Sequence, residues 1–202
     1  MNPPRPLPGE GLALGPGPEF DRIRAITGVL GAQGKGIGDD CALLRDGYEF
    51  IALSTDVSVE GVHFRREWIS SEEVGWRSAA AALSDLAAEG ADPIGLLCAV
   101  TMPAAAPDSE LVQLMAGVGA AAKAVGSTVL GGDLASGPSW SVAVTVVGRT
   151  SEPVTRAGAA PQDGLWVTGT LGAARAALEA LLHGRQPLTA ARARFAHPEP
   201  RI

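Results

Sequence analysis

Apolar and polar positions show no period over residues 1–18, where Pro and Gly recur. Such a stretch cannot bury a core and reads as a disordered leader. Residues 19–30 then set Phe20, Ile23, Ile26 and Leu30 at helical spacing along one face. A glycine-dense loop at 31–38 leads toward residues 49–56, a strand finishing on Ser54, Thr55 and Asp56. Ser70 or Ser71 caps a helix with Glu72 and Glu73 in its first turn, which Gly90 ends. The apolar run 93–102 fits a buried strand, and Asp108 opens a second helix that Gly126 closes. Residues 127–130 give a short strand before Gly131-Gly132-Asp133, and residues 139–149 a longer one in which Val142, Val144 and Val146 alternate. A further strand at 165–170 enters an Ala/Leu helix at 173–183.

This order predicts an α+β protein. A βαββαβ-like domain with a mixed sheet, or a close variant, occupies residues 19–150, and residues 151–202 begin a second, incomplete α+β domain. The roughly 50 residues after Arg149 are at the lower edge of what folds alone. Aromatic residues make up 4% of the 202, so the core is built from Ala, Val, Leu and Ile. A net charge of -6 argues against a face for nucleic acid, and none is expected as partner. Cys41 and Cys98 stand far apart outside any CxxC pair, which gives no support to a structural zinc site. No apolar run resembles a signal peptide or a membrane span, so a cytoplasmic protein without a membrane partner is expected.

The chemistry rests on oxygen. Gly34-Lys-Gly-Ile-Gly38 resembles a phosphate loop only superficially, since no Gly-Lys-Ser/Thr follows. The adjacent Asp39 and Asp40 would repel a bare phosphate, so phosphate binding here requires a metal between them. Taken singly, each acid has a plain alternative: a surface turn for Asp39-Asp40, a solvated helix position for Asp85, a turn residue for Asp133. Together with Ser54-Thr55-Asp56 they form an oxygen-only set that suits Mg2+, which takes carboxylates and hydroxyls and keeps several waters. His63 is either a half-buried ring or a hydrogen-bond donor to substrate, and Arg156 either a surface charge or a clamp on phosphate. No Ser-His-Asp or Cys-His ordering supports nucleophilic catalysis.

The segments Gly-Ile-Gly-Asp-Asp-Cys-Ala-Leu-Leu (36–44), Ser-Thr-Asp and Val-Glu-Gly-Val-His-Phe (54–64), Leu-Ser-Asp-Leu-Ala-Ala with Gly-Ala-Asp-Pro (83–93), Gly-Gly-Asp (131–133) and Thr-Arg-Ala-Gly (155–158) resemble the thiamine-monophosphate kinase family in order and spacing. The resemblance implies ATP-dependent phosphorylation of thiamine monophosphate to thiamine diphosphate. It implies a homodimer whose N-terminal sheets pair into a barrel, with ATP near that interface. Asp40, Ser54, Thr55, Asp56, Asp85 and Asp133 match the family's magnesium ligands. His63 matches its substrate-phosphate contact, and Gly132, Asp133 and Arg156 its ATP contacts. No side chain is implied as a covalent catalyst, because transfer is direct, in line and assisted by several Mg2+ ions.

Three departures stand out. Ala82 replaces the family's Asn before Leu-Ser-Asp, Leu134 follows Gly-Gly-Asp where the family has Thr, and the family's second-domain Asp-x-Ser-Asp-Gly segment is absent from the 202 residues. A non-catalytic dimerisation or nucleotide-binding module of the same fold is the alternative. A selenophosphate or purine-pathway substrate has less support, since residues 31–38 contain no reactive Cys.

Overall fold

A computed structural model describes residues 14–34 and 36–202, so most of the expected leader, residues 1–13, lies outside the described residues, as does Lys35. The first helix, α1, spans Pro18–Leu30, with Pro at its start where a missing N–H costs nothing, and a short 3-10 turn follows at Gly31–Gly34. None of the residues of α1 is buried.

Strands β1 (Ala42–Asp46) and β2 (Glu49–Val59) form an antiparallel hairpin that the alternation reading does not predict as a pair. Asp46 pairs with Glu49 across a two-residue turn, and Gly47 there has a φ of 64°, which favours glycine. Helix α2 (Ser71–Ala88) leads to β3 (Asp92–Met102), and α3 (Asp108–Ala124) to β4 (Val129–Ser136) and β5 (Ser141–Thr150). The sheet order is β1-β2-β5-β3-β4, antiparallel throughout except for the parallel β3–β4 pair. This is the expected α+β arrangement with a mixed sheet, enlarged by β1. Two further differences are local. Gly131-Gly132-Asp133 lies inside β4 rather than after a strand. Residues 165–170 form no strand: they have no pairing segment among the described residues, and Leu165 and Trp166 stand exposed. The helix that follows is α4 (Ala173–Leu182), and an unpredicted α5 (Thr189–Ala196) comes after it.

Both long helices cover one face of the sheet. Val142, Val144 and Val146 of β5 and Leu96 and Val100 of β3 point into it, against Leu83 and Leu86 of α2 and Leu114 and Val118 of α3. A capping box starts α2: Ser70 Oγ accepts from Glu73 N at 3.2 Å, and Ser70 N donates to the Glu73 carboxylate at 2.8 Å. Arg192 of α5 grips that same carboxylate with two bonds of 2.9 Å, and Trp76 Nε1 donates to Pro198 O at 2.7 Å, so the C-terminal segment is tied to α2.

The two helices touch backbone to backbone. A Cβ on Gly75 would sit 1.9 Å from Leu114 O, and one on Gly117 would sit 1.9 Å from Glu72 O. Neither backbone can yield without parting the helices. Gly75→Ala or Gly117→Ala is therefore expected to cost about 3 kcal/mol, at the upper end for overpacking. Gly119, on the same helix with open space beside it, should gain roughly 0.5–1 kcal/mol on change to Ala. Thermal melts of the three variants check the opposite signs.

Candidate functional site

Period two on β2 sorts the residues expected to act. Ser54 registers with Val146 and Asp56 with Val144, so both face the helices, whereas Thr55 registers with Thr145 on the open face. Thr55 Oγ1 and Thr145 Oγ1 lie 2.7 Å apart there. Asp85, near the end of α2, meets the helix-facing pair: Ser54 Oγ donates to Asp85 Oδ2 at 2.6 Å. Burial pushes the Asp85 carboxyl above its ordinary value and the carboxylates of Asp56 and Asp40 add to this, while the Ser54 hydroxyl and Arg156 oppose it.

Asp40 arrives from the loop before β1, beside the segment that follows β5. Arg156 holds it with both ends of the guanidinium, Nε to Oδ2 at 3.0 Å and Nη2 to Oδ1 at 2.5 Å. The Arg156 backbone N donates to Asp39 Oδ1 at 3.2 Å. The same segment is pinned to the end of α2, where Val154 N donates to Glu89 O at 3.0 Å. Beside Asp56, a small hollow of about 120 Å3 is also lined by His63 and Arg77. Val59 N donates to His63 Nδ1 at 3.0 Å, so the proton of the neutral ring belongs on Nε2, available to a ligand.

One chain thus brings Asp40, Ser54, Asp56, Asp85 and Arg156 together, with His63 next to Asp56. The expectation that all six oxygen ligands converge needs correction for a single chain. Thr55 lies on the other face of the sheet. Asp133 and Gly132 lie on β4, three strands from β2, or roughly 14 Å at ordinary strand spacing. Asp133 also registers with Ala99, Ala143 and Val57, which puts it on the open face, while Gly132 shares the row of Asp56. The cause is the β3–α3–β4 crossover, which delivers β4 to the far edge. Gly132 has a packing reason to be glycine, since a Cβ there would sit 1.8 Å from Cys98 O.

Among the described residues no group of three or more His, Cys, Asp or Glu side chains is arranged to hold a metal ion. The donors nevertheless fit Mg2+, which is commonly held by one or two carboxylates plus water and phosphate oxygens. They are all oxygen, the carboxylates of Asp56 and Asp40 are close enough to help push the Asp85 carboxyl up, and Arg156 pairs with Asp40. Cys41 and Cys98 are buried, and burial pushes their thiols up to about 12 and about 11, which disfavours the thiolate form.

Sequence reasoning missed Glu89. It is fully buried beneath the acidic group and accepts weakly from Cys41 N at 3.4 Å; its Oε2 and the neighbouring Asp39 Oδ2 have no partner among the described residues. Burial and the carboxylates of Asp39 and Asp40 push its carboxyl up from 4.5 to about 7. A group whose folded value is raised holds its proton better when folded, so its cost is absent below the unfolded value and grows as pH rises toward 7. Glu89→Gln keeps the neutral shape and gives Asp39 a donor. The variant should be more stable than the parent by on the order of 2 kcal/mol near pH 8 and by little near pH 5, read from melts at both pH values. An equal shift at the two would contradict the assignment.

Residues 38–150, more than half of the chain, match the family model for AIR synthase related protein, N-terminal domain. Thiamine-monophosphate kinase of Synechococcus elongatus is 38% identical over 148 residues, covering 72% of this chain and 45% of that protein. The enzyme of the same name from Aquifex aeolicus is 37% identical over 164 residues, covering 81% and 53%. The chain therefore spans about half the length of these curated relatives. The solved structure of AaThiL complexed with AMPPCP and TMP superposes with a TM-score of 0.84 at 34% identity, covering 91% of this chain and 60% of that one. The chain belongs to the AIR synthase related family, and the relatives it is similar to are thiamine-monophosphate kinases.

Proposed function

We propose that the chain belongs to a kinase that transfers the γ-phosphoryl of ATP directly to the phosphate of thiamine monophosphate, giving thiamine diphosphate and ADP. The observation that carries this is the meeting of Asp40, Asp56 and Asp85 with Ser54, beside a histidine whose Nε2 is free. The AaThiL structure with AMPPCP and TMP supports both substrates, since AMPPCP is an analogue of ATP.

In such a step a terminal oxygen of the accepting phosphate attacks the γ-phosphorus as the bond to the ADP oxygen breaks. The acceptor's second pKa is near ~6, so it is already largely ionised and no strong general base is needed. Bound Mg2+ would offset the repulsion between the two anions. Asp40, Asp56, Asp85 and the Ser54 hydroxyl would hold it, and His63 Nε2 would donate to the acceptor. Arg156, released from Asp40 when a metal replaces it, would turn to the nucleotide phosphates.

Thr55, Gly132 and Asp133 enter through a second copy. The open face of the sheet exposes Leu44, Val57, Leu97 and Leu130, an apolar surface that a matching sheet would cover. Pairing the sheets of two copies into a barrel brings the β4 edge of one toward the acidic group of the other. Residues 19–150 then form the nucleotide, metal and dimer domain, and residues 151–202 the beginning of the next. The protein acts in the cytoplasm; among the described residues no helix is long and apolar enough to cross a membrane.

The second reading is a module that pairs or binds nucleotide without turnover, a role the exposed apolar side chains of the sheet's open face would serve. A coupled assay for ADP with thiamine monophosphate, ATP and Mg2+ separates the two: turnover supports the kinase, nucleotide binding alone supports the module. In either case Asp56→Ala should abolish Mg2+-dependent nucleotide binding in calorimetry. Unchanged affinity would contradict the site.

A further inference from the structure

Arg77 is a cation without a counterion. It projects from α2, makes no salt bridge and no hydrogen bond among the described residues, and its Nη1 is buried with no partner. Burial alone lowers its proton affinity. Leaving a guanidinium N–H dry and unmatched is expensive. The guanidinium lies over the Phe195 ring, 4.5 Å from its centre, which fixes its plane but satisfies none of its donors.

Two hollows meet at this side chain. The smaller, on the Asp56 side, is lined by Asp56, His63, Phe64 and Arg77. The larger, of about 430 Å3, shares His63, Phe64 and Arg77 and adds Trp68, Leu178 and Phe195. That volume falls within the ordinary range for small-molecule sites. Its chemistry is divided: two nitrogen donors, His63 Nε2 and Arg77 Nη1, stand at the junction, and aromatic and aliphatic walls lie beyond. A ligand matching it has an anionic end and a ring system at the other.

We infer that Arg77 is the anchor for the phosphate of the accepting substrate, and that the larger hollow seats the ring system attached to it. The inference rests on the kinase reading and adds to it a residue that no motif marks. The phosphate would lie between Arg77 and His63, with its far side toward Asp56 and the transferring group. The planar guanidinium offers two parallel N–H donors to a phosphate, which a lysine cannot reproduce. A hydroxyl in place of phosphate would leave Nη1 unmatched, so the hollow discriminates the phosphorylated compound from the free alcohol.

Calorimetry on the 202-residue chain tests this with three probes: thiamine monophosphate, thiamine, and AMPPCP with Mg2+. Arg77→Met should weaken thiamine monophosphate at least tenfold and leave thiamine and AMPPCP within twofold, and Arg77→Lys should recover part of the loss. A melt of each variant accompanies the titrations. Unchanged binding of thiamine monophosphate by Arg77→Met overturns the anchor. So does a loss shared equally by all three probes in step with the melting temperature, which would make Arg77 a strut between α2 and α5. If the parent chain binds AMPPCP but not thiamine monophosphate, the anchor falls and the nucleotide site stands. Failure to bind either overturns the anchor together with the kinase reading.

Discussion

Asp40, Asp56 and Asp85 bring like charges into a partly dry space, and the rest of the site follows from how the chain holds them there. Two unit charges 4 Å apart repel by about 4 kcal/mol at the effective dielectric of a protein surface, a large fraction of a domain's net stability. Carboxylates gathered at such a cost are maintained by a cation. In the protein alone the cation is Arg156, bound to Asp40 through both guanidinium ends, and the Ser54 hydroxyl holds Asp85 from the other side. A divalent ion with a nucleotide would satisfy the same group more completely, since it can serve several carboxylates at once.

Rigid packing makes that concentration of charge tolerable. Helix α2 carries Asp85 and Arg77, and it is fixed along its length: by the Ser70–Glu73 capping box at its start, by the Gly75 and Gly117 contact with α3, and by Val154 at Glu89 near its end. With Ala79, Ala82 and Ser78 as its buried face, it lies close enough to β2 for a short hydroxyl to reach Asp85. The same helix therefore positions Asp85 on one side and the unmatched guanidinium of Arg77 on another. Small residues, which contribute little to hydrophobic burial individually, set the distances on which the chemistry depends.

Much of this was legible in the sequence. Caps and glycine stops marked α2 and α3, an apolar run marked β3, a strand ending on polar residues marked β2 and alternation marked β5, and the order of the acidic segments marked the family. What was not legible is what periodicity cannot carry. Strand β1 is only five residues long, and the Asp46-Gly47 turn was its one clear signal. Residues 165–170 have strand composition, but a strand needs a neighbour, and none lies beside them among the described residues. Thr55 looked like a companion of Ser54 and Asp56, yet alternation alone sends it to the other face. Asp133 looked like a fourth acid of the cluster; the parallel crossover, a matter of topology, carries it to the edge. Glu89 and Arg77 belong to no motif, and only burial without partners distinguishes them.

On the proposed reading, Asp40, Asp56 and Asp85 hold divalent cations against a nucleotide. A crystal structure of the chain with Mn2+ and AMPPCP, with anomalous difference density locating the metal, tests it most directly. Mn2+ is expected within ~2.2 Å of oxygens of Asp56 and Asp85, the reach of such hard cations, with Arg156 turned away from Asp40 and toward phosphate. Nucleotide density with no metal peak at these oxygens, and Arg156 still closed on Asp40, would contradict it.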